Sequence, residues 1–342
     1  MSTMNNKQQI LRLLRDADRH MSGQYLCERL GISRTAVWKI IRKLKQEGYP
    51  IEAVTNKGYR LLSVEGRDLF NKDELENVLD TGWAGHPLIY KAGTGSTNAD
   101  IFSLSDEGYP EGTLVVTSRQ TAGKGRRGRA WISPADVNIY MSILLKPEIR
   151  ADKAPMLTLV MALAVWQACE ELYGQEDIRF GIKWPNDIVV STDGESYRKI
   201  CGILTEMRLE EAQIRDIVIG TGLNVNQTDF PEEIRETAGS IRKALGYPVS
   251  RAELTALIWQ YFEKVYEEFI SAESLRPLKE RYESALVNRD RRVRVLDPKE
   301  PYEGTAVGIT DTGELIVRMD GGAGDREVDS GEVSVRGVMG YV

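Results

Sequence analysis

Gly123, Gly125 and Gly128 alternate with Lys124, Arg126, Arg127 and Arg129 in the stretch Gln120-Thr-Ala-Gly-Lys-Gly-Arg-Arg-Gly-Arg-Ala-Trp131. Glycine lets backbone N–H groups approach a ligand and reach φ > 0. The cations neutralise phosphate or carboxylate, arginine with a bidentate fork. A loop of this composition closes over an anion, or else it is a solvated basic hairpin tip. Gly123 to Gly128 also fits G-x-G-x-x-G, but that fingerprint must open an apolar helix. Here Arg126 to Arg129 is polar and Trp131-Ile-Ser-Pro134 turns into another strand-like run, which excludes a dinucleotide fold. No G-x-x-x-x-G-K-[ST] loop occurs. With His20 and His86 the only histidines, neither a Ser-His-Asp set nor a His-rich metal site is expected.

Three other stretches carry polar groups into apolar surroundings: Gly95-Ser-Thr-Asn98, Lys183-Trp-Pro-Asn-Asp187 and Gly222-Leu-Asn-Val-Asn226. Lys199-Ile-Cys-Gly-Ile-Leu-Thr-Glu206 adds a cation at the head of a strand-like run. Leu88-Ile-Tyr90, Leu114 to Thr117, Asn138 to Lys146 and Asp216 to Gly220 read as strands. Gly181 to Val190 and Lys199 to Glu206 read as a hairpin crossed by the turn Thr192 to Glu195. Each polar stretch lies at a strand end, where one sheet can gather them. Asn98 to Ser105 reads as a helix, and Ala154 to Tyr173, apolar on nearly all sides, as the central buried helix. Asn71 with Glu74, and Ser250 with Glu253, make capping boxes for further helices.

The flanks differ in texture. Residues 1–65 hold 12 Lys and Arg against 6 Asp and Glu, while the whole chain of 342 carries −6. A basic module on an acidic body points to nucleic acid. Asn6 to Asp16 is amphipathic, Ser22 caps a short helix that Gly31 ends, and Ser33 caps a third with Val37, Ile40, Ile41 and Leu44 on one face. Two β runs then flank Asn56-Lys-Gly58, a hairpin with a basic tip. That is the layout of a winged helix-turn-helix, with Ser33, Arg34, Thr35, Lys39 and Arg42 at the groove-reading helix and Lys57 on the wing. A structural three-helix module is the other reading. Val64 to Phe70 reads as a linker. From about Asn288 short alternating strands (Arg292 to Val295, Thr305 to Ile309, Glu314 to Met319, Arg326 to Val328, Val333 to Val335) suit a small barrel, with turns at Asp311-Thr-Gly313 and Gly321-Gly-Ala-Gly324.

Cys27, Cys169 and Cys201 are far apart in apolar contexts, as in a reduced cytoplasmic protein. The N-terminus has no apolar signal-peptide core, and no apolar run reaches a bilayer's span, the closest being Met156 to Trp166. No membrane partner is expected.

The order of Gly95 to Asn98, Gln120 to Trp131, Lys183 to Asp187, Lys199 to Glu206 and Gly222 to Asn226 resembles that of the biotin–protein ligases. The amino-terminal module makes the whole chain similar to their bifunctional bacterial form, at once biotin–[acetyl-CoA-carboxylase] ligase and biotin-operon repressor. The resemblance implies an α+β multidomain fold: a winged helix-turn-helix (1–65), a central mixed-sheet α/β ligase domain like that of class II synthetases (72–285) and an SH3-like C-terminal β-barrel (288–342). It implies attack of biotin's carboxylate on the α-phosphate of ATP, with Mg²⁺ assisting, to give biotinyl-5′-AMP. A lysine of biotin carboxyl carrier protein then takes the biotinyl group. By motif match Ser96, Thr97 and Gln120 would hold the ureido ring, helped by backbone from Gly123 through Lys124 and Gly125 to Arg126. Arg126 and Arg129 would meet phosphate, and Lys199 would be the central catalytic cation alongside Arg126. The lesser alternative for Lys199 is a structural pair for a strand carboxylate. Asn98 and Gly202 complete the ligand-lining set. Asn186 and Asn224 would contact the adenylate and its metal side, with no residue assigned as a metal ligand. Trp131 is an adenine platform or core packing, and Cys201 is packing. Lys124 departs from the arginine of many relatives and loses the planar fork. The resemblance further implies that biotinyl-5′-AMP is corepressor, ordering the loops and promoting a homodimer that binds operator DNA at two half-sites. A ligand-sensing repressor without ligase activity and a lipoate-type acyl ligase are the competing readings.

Overall fold

The computed structural model describes residues 5–17, 19–63, 67–175, 177–297, 300–320, 324–329, 335–337 and 341. The first module packs α1 (Asn6–Asp16), α2 (Gly23–Leu30) and α3 (Arg34–Gln46) around Ile10, Leu14, Leu26, Val37, Ile41 and Leu44. The caps fall where the sequence places them. Ser22 accepts from the Tyr25 amide, Ser33 from that of Ala36, and Gly31 ends α2 at φ 66°. Strands β1 (Ile51–Val54) and β2 (Gly58–Leu61) form the antiparallel wing. Met21 exchanges both backbone hydrogen bonds with Tyr59 at 2.8 Å, so the wing is pinned to the start of α2. Gly58, at φ 104°, faces the Met21 carbonyl too closely for any Cβ.

The linker is a fastening. Residues 64–66 lie outside the described residues, but Leu69 belongs to the first module's core and Phe70 to the second's. Asp68 pairs with Arg251 at 2.7 Å and accepts from Asn226 at 2.8 Å. Helix α4 (Lys72–Val78) offers a second contact, because its Glu74 takes both the Arg15 guanidinium and the Tyr49 hydroxyl, and its Asp73 takes Lys7 at 2.5 Å. From Asp68 onward the stretch read as a linker, with α4 behind it, meets both modules through paired charges. Asn71 caps α4 by accepting from the Glu74 amide, one half of the expected capping box.

The central domain runs β3 (Leu88–Lys91), α5 (Thr97–Asp106), β4 (Leu114–Thr117), β5 (Ile139–Leu145), α6 (Met156–Tyr173), β6 (Arg179–Lys183), β7 (Asp187–Ser191), β8 (Arg198–Glu210), β9 (Gln213–Leu223), α7 (Ile241–Leu245), α8 (Arg251–Ala272) and α9 (Lys279–Ala285). Its sheet is mixed, in the order β3-β4-β5-β9-β8-β7-β6, with β3 and β4 parallel and the other pairs antiparallel. Helix α6 lies under it against α8, buried from Met156 through Cys169 at almost every position. With its 3₁₀ lead-in, the segment of 23 residues is long and apolar enough to cross a membrane by composition, contrary to the sequence reading. Here it serves as the core.

The run Gly181 to Val190 is two strands, not one. Pro185 has no N–H for a ladder, and the chain reverses through Trp184-Pro185-Asn186, whose Trp184–Pro185 bond is cis. Lys183 and Asp187 thereby become cross-strand partners. The last module is a five-stranded antiparallel sheet of β10 (Arg292–Val295), β11 (Tyr302–Ile309), β12 (Leu315–Met319), β13 (Asp325–Val328) and β14 (Val335–Gly337), ordered β13-β12-β11-β10-β14. The turn at 321–323 and residues 333–334 of the expected last strand lie outside the described residues. This module clasps the β6–β7 turn. The Trp184 indole donates to the Gly313 carbonyl at 2.9 Å, and the buried Asn288 side chain accepts from the Trp184 amide at 2.8 Å.

Candidate functional site

Register explains why the polar stretches meet. Ile139 pairs with Leu223, Leu223 with Cys201 and Cys201 with Ile188, so the start of β5, the end of β9, the start of β8 and the β6–β7 turn share one end of the sheet. Above that end lies a cavity of about 1210 Å³. Ser96, Thr97, Asn98, Gln120, Lys124, Gly125, Arg126, Arg129, Trp131, Asn186, Lys199, Gly202 and Asn224 all line it. Gly123 sits one step behind, its carbonyl accepting from the Trp131 amide at 2.9 Å.

One wall is the N-terminus of α5. Ser96 occupies the N-cap position without making a side-chain cap, so its hydroxyl is left for the cavity. Gln120 accepts from the Thr97 amide at 2.9 Å and its hydroxyl at 3.2 Å, and donates to Ser133 at 3.3 Å. Ser142 holds Thr97 and Asn98 from the sheet at 2.6 Å each. Asn98 is fully engaged inside the protein, since its amide nitrogen also donates to Glu206 at 2.6 Å. Asn224 is likewise engaged, donating to the Gly239 carbonyl at 3.1 Å and accepting from Asn138 at 3.3 Å. Both amides thus line the cavity with hydrogen bonds already made inside the protein.

The basic loop is a compact hairpin. The Gly125 amide donates to the Arg129 carbonyl at 2.7 Å, and Arg126–Gly128 makes a 3₁₀ turn in which Arg127 (φ 57°) and Gly128 (φ 72°) are left-handed. Arg126 donates to Asn186 at 3.0 Å, tying loop to turn. Trp131 lies across Gly202 and Gly222, where a Cβ at Gly202 would come within 2.9 Å of its ring. These two glycines make the floor flat enough for an indole. The buried Trp131 indole nitrogen has no hydrogen-bond partner among the described residues.

The strongest charges gather at the β6–β7 turn. Lys199 Nζ lies 2.5 Å from Asp187 Oδ1 and 5.3 Å from the Trp131 ring centre. The strand-carboxylate pairing is therefore real, and it leaves Lys199 partly exposed in the cavity. Burial alone would push the Asp187 carboxyl up, but Lys199, Lys183 and the Tyr341 hydroxyl hold it below the ordinary value. Lys183, only 6% exposed, is pulled down to about 8 by burial, against the pull of Asp187 and with that of Lys199, Arg336 and Arg129. Cys201 is fully buried and its thiol is pushed well up by desolvation, which suits packing and disfavours a nucleophile. Sequence reasoning left out Lys183, Asp187, Arg291, Arg336 and Tyr341, all of which line the cavity. The motif Lys183-Trp-Pro-Asn-Asp187 did hold a signal for two of them, in its charged ends.

In the first module Arg34, Thr35, Lys39 and Arg42 are exposed on α3, and Lys57 on the wing tip. Ser33 spends its hydroxyl on the cap, and Arg34 donates to Gln24 at 2.8 Å. Trp38, half exposed beneath the Arg42 guanidinium at 5.5 Å, joins this face though the sequence reading did not single it out.

The fold joins a ligase domain of the biotin/lipoate type to a helix-turn-helix module. Residues 94–224 match the biotin/lipoate A/B protein ligase family, 6–60 a helix-turn-helix domain and 290–336 the biotin protein ligase C-terminal domain. The bifunctional ligase/repressor BirA of Bacillus subtilis is 40% identical over 88% of this chain and 90% of its own. That of Escherichia coli is 30% identical over 91% of this chain and 92% of its own. The biotin protein ligase from Aquifex aeolicus, solved in complex with biotin and ATP, is 29% identical with a TM-score of 0.61 over 73% of this chain and 98% of its own. The chain belongs to the bifunctional ligase/repressor BirA family.

Proposed function

We propose the following division of labour for the activity that the family assigns, ATP-dependent biotin–protein ligation joined to biotin-responsive repression. The observation that carries it is the single cavity in which Lys199, Arg126, Arg129 and Lys183 converge opposite the open N-cap of α5. A carboxylate and a triphosphate repel until their charge is offset, and fixed cations in a sheltered site do that without reorganisation. Ser96, with Thr97 set by Gln120, holds the ureido group of biotin. Trp131 carries the adenine face. Lys199 leaves Asp187 to bridge biotin's carboxylate and the α-phosphate, while Arg126 and Arg129 hold phosphate oxygens and biotinyl-5′-AMP forms. The carrier protein's lysine attacks that mixed anhydride, releasing AMP.

Among the described residues no group of three or more His, Cys, Asp or Glu could hold a metal. Asp187, the carboxylate nearest the cations, is already taken up by Lys199 and Tyr341. Mg²⁺ would come in on the phosphates of ATP and offset part of their charge there. In the DNA-bound state α3 lies in the major groove, with the Lys57 wing on the adjacent backbone, and biotinyl-5′-AMP drives the homodimer that spans two half-sites. The free Cys27, Cys169 and Cys201 fit the cytoplasm. The working modules on this reading are 1–65, 72–285 and 288–342.

The test is biotin-dependent pyrophosphate release. Wild-type protein is expected to turn over with biotin and not with lipoate, and Lys199→Ala to lose at least about a thousandfold in rate with its fold intact. Near-normal release by Lys199→Ala would remove the lysine from the central role.

A further inference from the structure

Tyr341 comes from the far end of the chain, yet its side chain touches the two charged ends of the Lys183 to Asp187 turn. Its hydroxyl donates to Asp187 Oδ2 at 2.7 Å, and its ring centre lies 3.5 Å from Lys183 Nζ. Lys199 holds the other Asp187 oxygen at 2.5 Å. Lys183 and Asp187 are cross-strand partners, and the carboxylate acts on the buried ammonium through its charge. Among the described residues Lys183 nevertheless has no ion pair, and it is almost wholly buried in the cavity wall. A buried cation without a carboxylate is costly unless something offsets its charge. Here the protein offsets it with the π face of an aromatic ring, in contact, and with the more distant pull of Asp187.

We propose that Tyr341 is a positioning residue of the adenylating site. It keeps Asp187 turned toward Lys199 and lays the Lys183 ammonium on its ring, unpaired and ready for the phosphates of ATP. The assignment rests on the ligase reading above and extends it to a residue outside the catalytic domain. In effect the C-terminal module contributes part of the nucleotide half of the site and none of the biotin half, since Ser96, Thr97 and Gln120 are held by α5 and the sheet.

The test uses full-length protein in biotin-dependent ATP–pyrophosphate exchange, with direct biotin binding measured in parallel. Tyr341→Phe keeps the ring and loses the hydroxyl, so Asp187 can swing to Lys183 and compete with phosphate. Its KM for ATP is expected to rise about tenfold, the worth of a hydrogen bond to a charged group. Tyr341→Leu also loses the π face and is expected to rise further, with kcat at saturating ATP changed much less and biotin affinity unchanged in both. ATP KM values within twofold of wild type in both variants would overturn the proposal. So would biotin affinity falling in step with ATP KM, because the tyrosine would then merely fasten the fold. If wild-type protein supports no biotin-dependent exchange, the ligase reading itself falls and this assignment with it. Wild-type exchange with unaltered variants removes Tyr341 alone.

Discussion

Lys199 and Lys183 are two lysines of one site with opposite preparations. The first is held by a carboxylate, and the second is buried with no ion pair among the described residues. Their difference is visible in pH dependence. Lys183 is pulled from 10.5 to about 8, with burial the largest cause. Its ammonium is therefore intact below about pH 8 and lost above it, and the proposed phosphate contact would go with it. The ATP kcat/KM of the exchange reaction is expected to fall about tenfold per pH unit once well past that value. Lys183→Arg, charged throughout, is expected to move this alkaline limb upward even if its maximum is lower. Stability runs the other way. Between about 8 and 10.5 the unfolded chain binds the extra proton, so the contribution of this group to stability rises with pH. An alkaline limb at the same pH in Lys183→Arg would show that another group sets it.

Flat packing of one indole on two adjacent strands depends on elements rather than on any single contact. Gly202 on β8 and Gly222 on β9 are cross-strand partners, and Trp131 covers both. A methyl at Gly222 would overlap the Trp131 ring. Gly222→Ala is expected to displace the indole, raise the ATP KM about tenfold or more and cost roughly 1–3 kcal/mol in urea unfolding. An unaltered KM with unaltered stability would mean Trp131 has room to move and is no platform. Helices, caps, the wing and most strands were legible in the sequence because each rests on local spacing: Ser22, Ser33 and Gly31 act through neighbours three or four residues away. The β6–β7 reversal was not, because Ile182 to Val190 is apolar enough to read as one strand and only Pro185 interrupts its ladder. Motif matching also named Asn98 and Asn224 without telling which way an amide faces, and their partners, Glu206 and Gly239, are 108 and 15 residues away. Tyr341 and Arg291 were invisible for the same reason at larger scale, since nothing local says that the last module folds back over the β6–β7 turn.

Across the whole molecule, the ligand cavity and the DNA-reading module are joined through polar groups. Asn138 contacts Asn224, which lines the cavity, and Arg251, whose guanidinium donates to the Asn138 carbonyl at 3.2 Å, pairs with Asp68 of the linker. Asn226 joins the same carboxylate. Arg251 is buried, so Asp68→Asn leaves its charge short of a partner and is expected to lower unfolding stability by about 2–4 kcal/mol. A change below about 0.5 kcal/mol would place the linker among solvated surface pairs. This chain of contacts runs from the cavity wall at Asn224 to Asp68, beside the helix-turn-helix module. The central claim is that one site both makes biotinyl-5′-AMP and reports it to DNA. A gel shift on the DNA upstream of this protein's own regulated genes tests it most directly, comparing wild type with Lys199→Ala. Wild type is expected to bind on addition of biotin and ATP, and Lys199→Ala only when preformed biotinyl-5′-AMP is supplied. Equal binding by Lys199→Ala with biotin and ATP alone would contradict the account.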